Sequence, residues 1–103
     1  MGGESSDMKY IVYILYSQKL SKRYIGRTTA LKERFKQHND GRVAFTKQGL
    51  PWKLIYYEVF LSKKDAIAEE QFLKTGKGRE RLKLLLPDTV NTLRAVSEVV
   101  KRA

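Results

Sequence analysis

The chain has 103 residues, no cysteine, one histidine and a formal net charge of +10. A chain of this length holds one domain near the lower size limit for a self-sufficient core, and an apolar content of 42% argues against wholesale disorder. The absence of cysteine excludes disulfides, thiolate zinc sites and cysteine nucleophiles. With His38 as the sole imidazole, a metal ion would be held mainly by carboxylates and water, which favours Mg²⁺ or Mn²⁺.

The charge indicates a polyanionic partner. With 21 lysines and arginines against 11 acidic residues, the chain should be attracted to nucleic acid, although solubility is the plainer alternative. No lipidation motif or long apolar run is present, so we expect no membrane association. Residues 1–7 are neither basic nor apolar, and we interpret them as a flexible or artificial tail. A cytoplasmic protein is the expectation.

The strands are predicted from β-branched and aromatic runs. Residues 9–16 form the first, with Val12 and Ile14 on one face and Tyr13 and Leu15 on the other. A short second strand covers residues 23–26 and ends at a glycine. Residues 52–60 form the third and strongest strand.

The helices are predicted from capping signals and apolar stripes. Thr28 or Thr29 caps a helix over residues 30–39, and Ser62 with Asp65 begins a second helix that ends near Lys74. A basic stretch then leads into a leucine-rich helical turn that Pro87 closes, and a last helix begins at Asp88. We predict an α+β domain over residues 8–86, with a small sheet that carries helices, and a helical extension over residues 87–103. The apolar face of that extension packs on the core or contacts a second copy or another protein.

The second helix carries the sharpest chemical clue. Glu70 lies near the centre of an apolar stripe set by Ala66, Ile67 and Leu73. Because carboxylates are seldom buried alone, Glu70 either holds a metal ion or pairs with a buried cation such as Arg34. Its neighbour Glu69 lies off the stripe, where we expect it to be solvated.

The first helix presents complementary groups. Arg34 and His38 lie one turn apart on its inward side, and Tyr13 faces inward from the first strand. Each has a plainer reading, since a lone inward histidine or tyrosine is commonly a core residue. Together with Glu70, they suit metal-assisted phosphodiester cleavage, in which cationic donors stabilise charge on the phosphate.

The chain resembles the GIY-YIG nuclease superfamily. The half-motifs are Val12-Tyr13-Ile14 and Tyr24-Ile25-Gly26, and the segment that follows Pro51 is similar to the small stand-alone bacterial members. The resemblance covers residues 9–84. Val12 replaces the glycine of the name, as in those small relatives, and the asparagine that some excision-repair members carry has no clear counterpart.

The resemblance implies a three-stranded antiparallel sheet flanked by helices and a metal-dependent endonuclease. It implies that Tyr13 and Tyr24 orient or deprotonate the attacking water, with either one as the base. It further implies that Arg34 neutralises the phosphate, that His38 accepts a proton or contacts phosphate, and that Glu70 binds the metal. Gly26 would let the backbone pass close to the site.

The substrate expectation rests on charge. Phosphate contacts bind without reading sequence, so we expect weak or structure-dependent specificity for branched, flapped or single-stranded DNA, with RNA left open, in DNA repair or processing. A non-catalytic nucleic-acid-binding module and an interaction subunit of a larger nuclease complex are the alternatives. The candidate phosphate contacts are Arg27, Lys32, Lys36, Arg42, Lys47, Lys77, Arg79 and Arg81.

Overall fold

Three antiparallel strands form the single sheet of the computed structural model, which describes residues 8–89. Strand β1 spans Tyr10–Ser17, β2 spans Lys22–Thr28 and β3 spans Trp52–Phe60. Their spatial order is β2-β1-β3, so β1 is central and β2 is an edge strand. The predicted α+β class and antiparallel sheet are confirmed.

Helices cover both faces of this sheet. Helix α1 spans Leu31–Asn39 on one face, while α2 (Lys63–Leu73) and α3 (Gly76–Leu85) lie on the other. A short 3₁₀ helix, Lys47–Gly49, interrupts the long loop between α1 and β3. The sheet is therefore a middle layer, and its central strand is removed from water on both sides.

The core divides into two clusters that meet at β1. Val12 and Ile14 pack with buried side chains of α2 and α3, whereas Tyr13 and Leu15 pack with Trp52 on the α1 side. The alternation predicted for the first strand is confirmed. Because helices cover both faces, six successive residues of β1, from Val12 to Ser17, are buried.

Several element ends differ from the predictions. Strand β2 is longer than predicted at both ends and does not stop at Gly26, because its pairing with β1 runs from Lys22 to Thr28. Helix α1 begins at Leu31 without a side-chain cap, although the predicted cap at Ser62 is confirmed by its bond from the Asp65 amide. Helix α3 begins earlier than predicted, at Gly76, because the Thr75 side chain caps it by accepting from the Gly78 amide. The sequence did not indicate this start, because Gly76 and Gly78 are weak helix formers.

The predicted tail at residues 1–7 lies outside the described residues, as does the predicted final helix from residue 90 onward, although its first residues, Asp88 and Thr89, are helical. Within residues 8–89, no helix is long and apolar enough to cross a membrane.

The turn between α2 and α3 depends on Gly78. A Cβ atom there would lie 2.2 Å from the Phe72 carbonyl oxygen and 2.6 Å from the Leu73 Cα, whereas a Cβ at Gly76 would meet no atom within 4 Å. We predict that Gly78→Ala lowers the free energy of unfolding by about 1–3 kcal/mol, since backbone must move. Gly76→Ala should be neutral or stabilising by a few tenths of a kcal/mol, about what helix propensity supplies. Denaturant unfolding of the two variants checks this, and equal effects would contradict it.

Candidate active site

A buried tyrosine–histidine pair lies at the centre of the site. Tyr13 projects from β1 toward α1, and its hydroxyl lies 2.9 Å from Nε2 of His38. His38 is completely buried although it stands in the last turn of α1. The predicted inward direction of both side chains is confirmed, and the two groups are partners.

Thr46 completes this pair from the loop after α1. Its hydroxyl lies 2.7 Å from Nδ1 of His38 and donates its one hydrogen to the Val43 carbonyl, at 3.4 Å. From this arrangement we infer that the Thr46 oxygen accepts from Nδ1–H, which would leave Nε2 to accept from the Tyr13 hydroxyl. Thr46 is then the group that selects the tautomer of His38. Sequence reasoning missed it, because a loop threonine has no periodicity that indicates its direction.

The protonation of the pair follows from its burial. Burial raises the pKa of Tyr13 to about 12, and the nearby Arg34 guanidinium, which hydrogen-bonds the phenol, offsets only part of this rise. Burial lowers the pKa of His38 from its ordinary value, and the positive charge of Arg34 lowers it further. At neutral pH, a neutral phenol therefore donates to a neutral imidazole.

Tyr24 and Gly26 bring the edge strand against this pair. The Tyr24 ring lies 5.0 Å from the His38 ring and 6.3 Å from the Tyr13 ring, centroid to centroid. A Cβ atom at Gly26 would lie only 2.6 Å from the Tyr13 hydroxyl oxygen. The expectation that Gly26 permits a close approach is confirmed, since a larger residue would displace the phenol.

Arg34 stands at the margin of the pair. One guanidinium nitrogen donates to the Gln37 side-chain oxygen at 3.0 Å, and the group is half-buried. Its charge reaches both Tyr13 and His38. A cation in this position can meet a phosphate that approaches the phenol.

Glu70 approaches from the other side of the edge strand. Its carboxylate, 18% exposed, accepts from Arg27 Nε at 3.1 Å and from Lys74 Nζ at 3.2 Å. The ion pair that we considered with Arg34 is therefore replaced by pairs with Arg27 and Lys74, which lie on β2 and just past α2. The Glu70 charge also contributes to the raised pKa of Tyr13.

The residues of the site can hold a divalent ion only if water and substrate phosphate supply the other ligands. No group of three or more possible ligands among His, Cys, Asp and Glu occurs within residues 8–89. However, Mg²⁺ is commonly held by one or two carboxylates, with water and substrate phosphate as the other ligands. Glu70 can supply such a carboxylate, because each of its two oxygens is placed to bind a cation, at present Arg27 and Lys74.

Glu69 corrects one expectation. It was expected to be solvated, yet its side chain is only 12% exposed and pairs with Arg81 through both carboxylate oxygens. The reason is that α3 folds back along α2 and brings Arg81 over this position, which the stripe of a single helix cannot indicate.

The candidate phosphate contacts divide by their partners. Arg27 and Arg81 are bound to carboxylates, and Lys36 pairs with Asp40 on the surface. Because Arg81 is held by Glu69 and Glu58, we leave it out of the nucleic-acid surface. The remaining candidates are exposed and have no ion pair with any residue in the range 8–89, namely Lys32, Arg42, Lys47, Lys77 and Arg79.

The structure thus places two tyrosines, a histidine, an arginine and a glutamate around the edge strand of a small α+β domain, as the resemblance to the GIY-YIG nucleases implies. Residues 9–83 match the family described as the GIY-YIG catalytic domain. The chain belongs to this family, which is a family of nucleases.

Known proteins of similar sequence carry the name UPF0213. UPF0213 protein SpyM50708 of Streptococcus pyogenes serotype M5 and UPF0213 protein SPs0786 of serotype M3 are each 46% identical over 59 residues, or 56% of this chain. The chain spans 64% of the length of these relatives. The solution NMR structure of UPF0213 protein BH0048 from Bacillus halodurans is 32% identical, with a TM-score of 0.50, and the match covers 77% of this chain and 86% of that one.

Removal of the Thr46 hydroxyl should release the His38 tautomer. Thr46→Val keeps the side-chain shape but leaves Nδ1–H unpaired in the interior, so we expect a loss of about 1–3 kcal/mol in unfolding free energy. Thr46→Ser should retain both stability and tautomer. Ring ¹⁵N NMR reads the tautomer directly, because His38 is the sole histidine. A valine variant with an unchanged Nδ1–H tautomer and unchanged stability would contradict this role.

The burial of His38 also predicts a pH dependence. Its folded pKa lies below the ordinary value of 6.5, so the unfolded chain binds the additional proton. This contribution to stability is complete above about pH 6.5 and is lost as the pH falls toward the lowered folded pKa. An NMR titration of the ring should give a pKa below 6.5 in the folded protein and near 6.5 in urea. A folded value at or above 6.5 would rule out the neutral buried pair.

Proposed function

We propose that this protein is a metal-dependent endonuclease that hydrolyses DNA phosphodiester bonds. The observation that carries the proposal is that the Tyr13–His38 pair lies against Gly26 of the edge strand and that the charges of Arg34 and Glu70 both act on Tyr13, in a protein with a net charge of +10. Family membership supports the nuclease class. The metal, the substrate and the roles below are our proposals.

In this proposal, the Tyr13–His38 pair moves the proton of the attacking water. A phenol with a pKa near 12 is not ionised at neutral pH, so Tyr13 cannot act as a preformed phenolate. Its oxygen can accept a proton from water while its own proton passes to Nε2 of His38, 2.9 Å away. The tautomer set by Thr46 leaves that nitrogen free to accept. This geometry favours Tyr13 over Tyr24 as the base.

Arg34 and Glu70 serve the phosphate in this scheme. Arg34 donates to the non-bridging oxygens as charge builds on them, a contribution that preorganised cations make without reorganisation. Glu70 would hold Mg²⁺ or Mn²⁺, which when bound supplies positive charge at the scissile phosphate. Arg27 and Lys74 would release the Glu70 oxygens and become free to bind phosphate themselves.

Positive charge supports binding to the nucleic-acid backbone, and the described residues include no separate recognition helix aimed at base edges. We therefore propose weak or structure-dependent specificity, in DNA repair or processing, with a cytoplasmic location as the accompanying prediction. RNA is the alternative substrate that the experiment must include.

Cleavage of a labelled panel tests the proposal: duplex, single strand, flap, three-way and four-way junctions, and RNA, each with Mg²⁺, Mn²⁺ or chelator. Wild type should cut at least one DNA substrate in a metal-dependent manner. We predict that Glu70→Gln and Tyr13→Phe each reduce the rate at least about a hundredfold. Glu33→Gln is the matched control, since Glu33 is an exposed carboxylate of α1 without an ion pair in residues 8–89, and its rate should be unchanged.

Tight binding without cleavage under any metal would overturn the catalytic proposal and favour the non-catalytic binding module. Neither binding nor cleavage of any substrate would favour the interaction subunit. Cleavage that survives in Glu70→Gln would reject Glu70 as the metal ligand while retaining the enzyme.

A further inference from the structure

A cavity opens beside the candidate active site, along the edge of β2. Its volume is about 550 Å³, within the range of small-ligand pockets. Tyr24 forms part of one wall, and Lys74, whose ammonium binds Glu70, forms part of another. The cavity is therefore continuous with the groups assigned to phosphodiester cleavage, on both faces of the edge strand.

Four cationic side chains line this cavity, and no acidic side chain does; the cations are Lys22, Arg23, Lys74 and Arg79. Two of them, Arg23 and Arg79, lie close enough that the charge of Arg79 adds to the effect of burial in lowering the pKa of the Arg23 guanidinium. Within residues 8–89, neither arginine has a carboxylate partner. Two adjacent guanidinium groups without a carboxylate partner form a site for an oxyanion such as phosphate.

The same cavity has an aromatic wall. Phe45 is 84% exposed, although a phenylalanine is among the residues that folding most readily buries. Its ring lies 5.9 Å from the Tyr24 ring, tilted by 50°, and faces the cavity. An exposed ring beside phosphate-binding cations is the combination by which proteins hold an unpaired nucleotide, because the base stacks while the backbone is neutralised.

We propose that this cavity binds an unpaired nucleotide next to the scissile phosphate, with its base stacked on Phe45 and its phosphate held by Arg23 and Arg79. The inference rests on the proposed endonuclease function and adds to it a substrate class, namely DNA with unpaired nucleotides at the cleavage site. A continuous duplex cannot enter, since its bases are stacked on each other and not available to a ring.

Binding measured in chelator tests the inference without cleavage. The probes are a fluorescein-labelled DNA duplex and the same duplex with a central loop of two unpaired thymidines. Wild type should bind the looped probe more tightly. Phe45→Ala should weaken looped-probe binding about tenfold and change duplex binding less than twofold. Phe45→Trp should retain the preference, whereas Phe45→Leu, which is apolar but has no π face, should lose it.

Matched variants separate stacking from general effects. Leu84→Ala removes an equally exposed apolar side chain from α3 outside the cavity, and it should leave both probes unaffected. Arg23→Gln and Arg79→Gln should each weaken binding of the looped probe, reduce its slope of log affinity against log salt by about one, and affect the duplex less. Lys64→Gln, at the opposite end of α2 from Lys74, is the charge control and should reduce affinity less than either.

The outcomes distinguish this inference from the proposed function. If wild type cuts DNA but Phe45→Ala binds both probes like wild type, the nucleotide site is overturned and the endonuclease stands. An equal loss on duplex and looped DNA also overturns it, because stacking would then not be selective. If wild type binds neither probe, the proposed endonuclease function is rejected, and the nucleotide site is rejected with it. Thermal unfolding of Phe45→Ala should match wild type, since the ring is exposed.

Discussion

Burial of the Tyr13 hydroxyl on the central strand is the constraint on which the site depends. Strand β1 is covered on both faces and Tyr13 is almost completely buried, so its hydroxyl needs a hydrogen-bond partner inside the protein. The partner, His38, must then turn its ring inward from α1, and its second nitrogen requires Thr46 from the following loop. The Thr46 carbonyl accepts in turn from the Trp52 indole and the Gly49 amide. One buried hydroxyl thereby orients a helix, a loop and the start of β3.

The candidate site lies at an edge of the sheet, where a nucleic-acid backbone could approach side chains from both faces. Strand β2 has no neighbour on its outer side within the sheet, and Gly26 adds no side chain there. Tyr13 can approach this edge from one face while Glu70 approaches it from the other. In the proposed function, the phosphodiester backbone runs along this edge, with Tyr13 on one face of the strand and Glu70 on the other.

Regular patterns in the sequence account for what could be predicted. Period-two alternation was sufficient to separate Tyr13 from Val12, and helical spacing was sufficient to turn His38 inward and to single out Glu70. The partners were harder to predict. Thr46 and Phe45 lie in a loop without periodicity, and the cations that bind Glu70 depend on how β2 and the end of α2 meet in space. Glu69 was misjudged for the same reason, since its cover comes from α3.

The adjacent residues Glu69 and Glu70 differ in how firmly the fold holds their carboxylates. Glu69 is bound by both nitrogens of Arg81, which also faces Glu58 and lies over the Phe72 ring. Burial and the nearby Glu69 carboxylate raise the pKa of Glu58, so this cluster holds two acids and one cation in a tight arrangement. Glu70 has two partners instead, each reached through a single nitrogen on a partly exposed side chain. Contacts through a single nitrogen exchange more readily than a bidentate arginine–carboxylate pair, which has two parallel hydrogen bonds to break. Because Arg81 is fixed on Glu69, the neighbouring carboxylate is the one that can release its cations when a more highly charged ligand arrives.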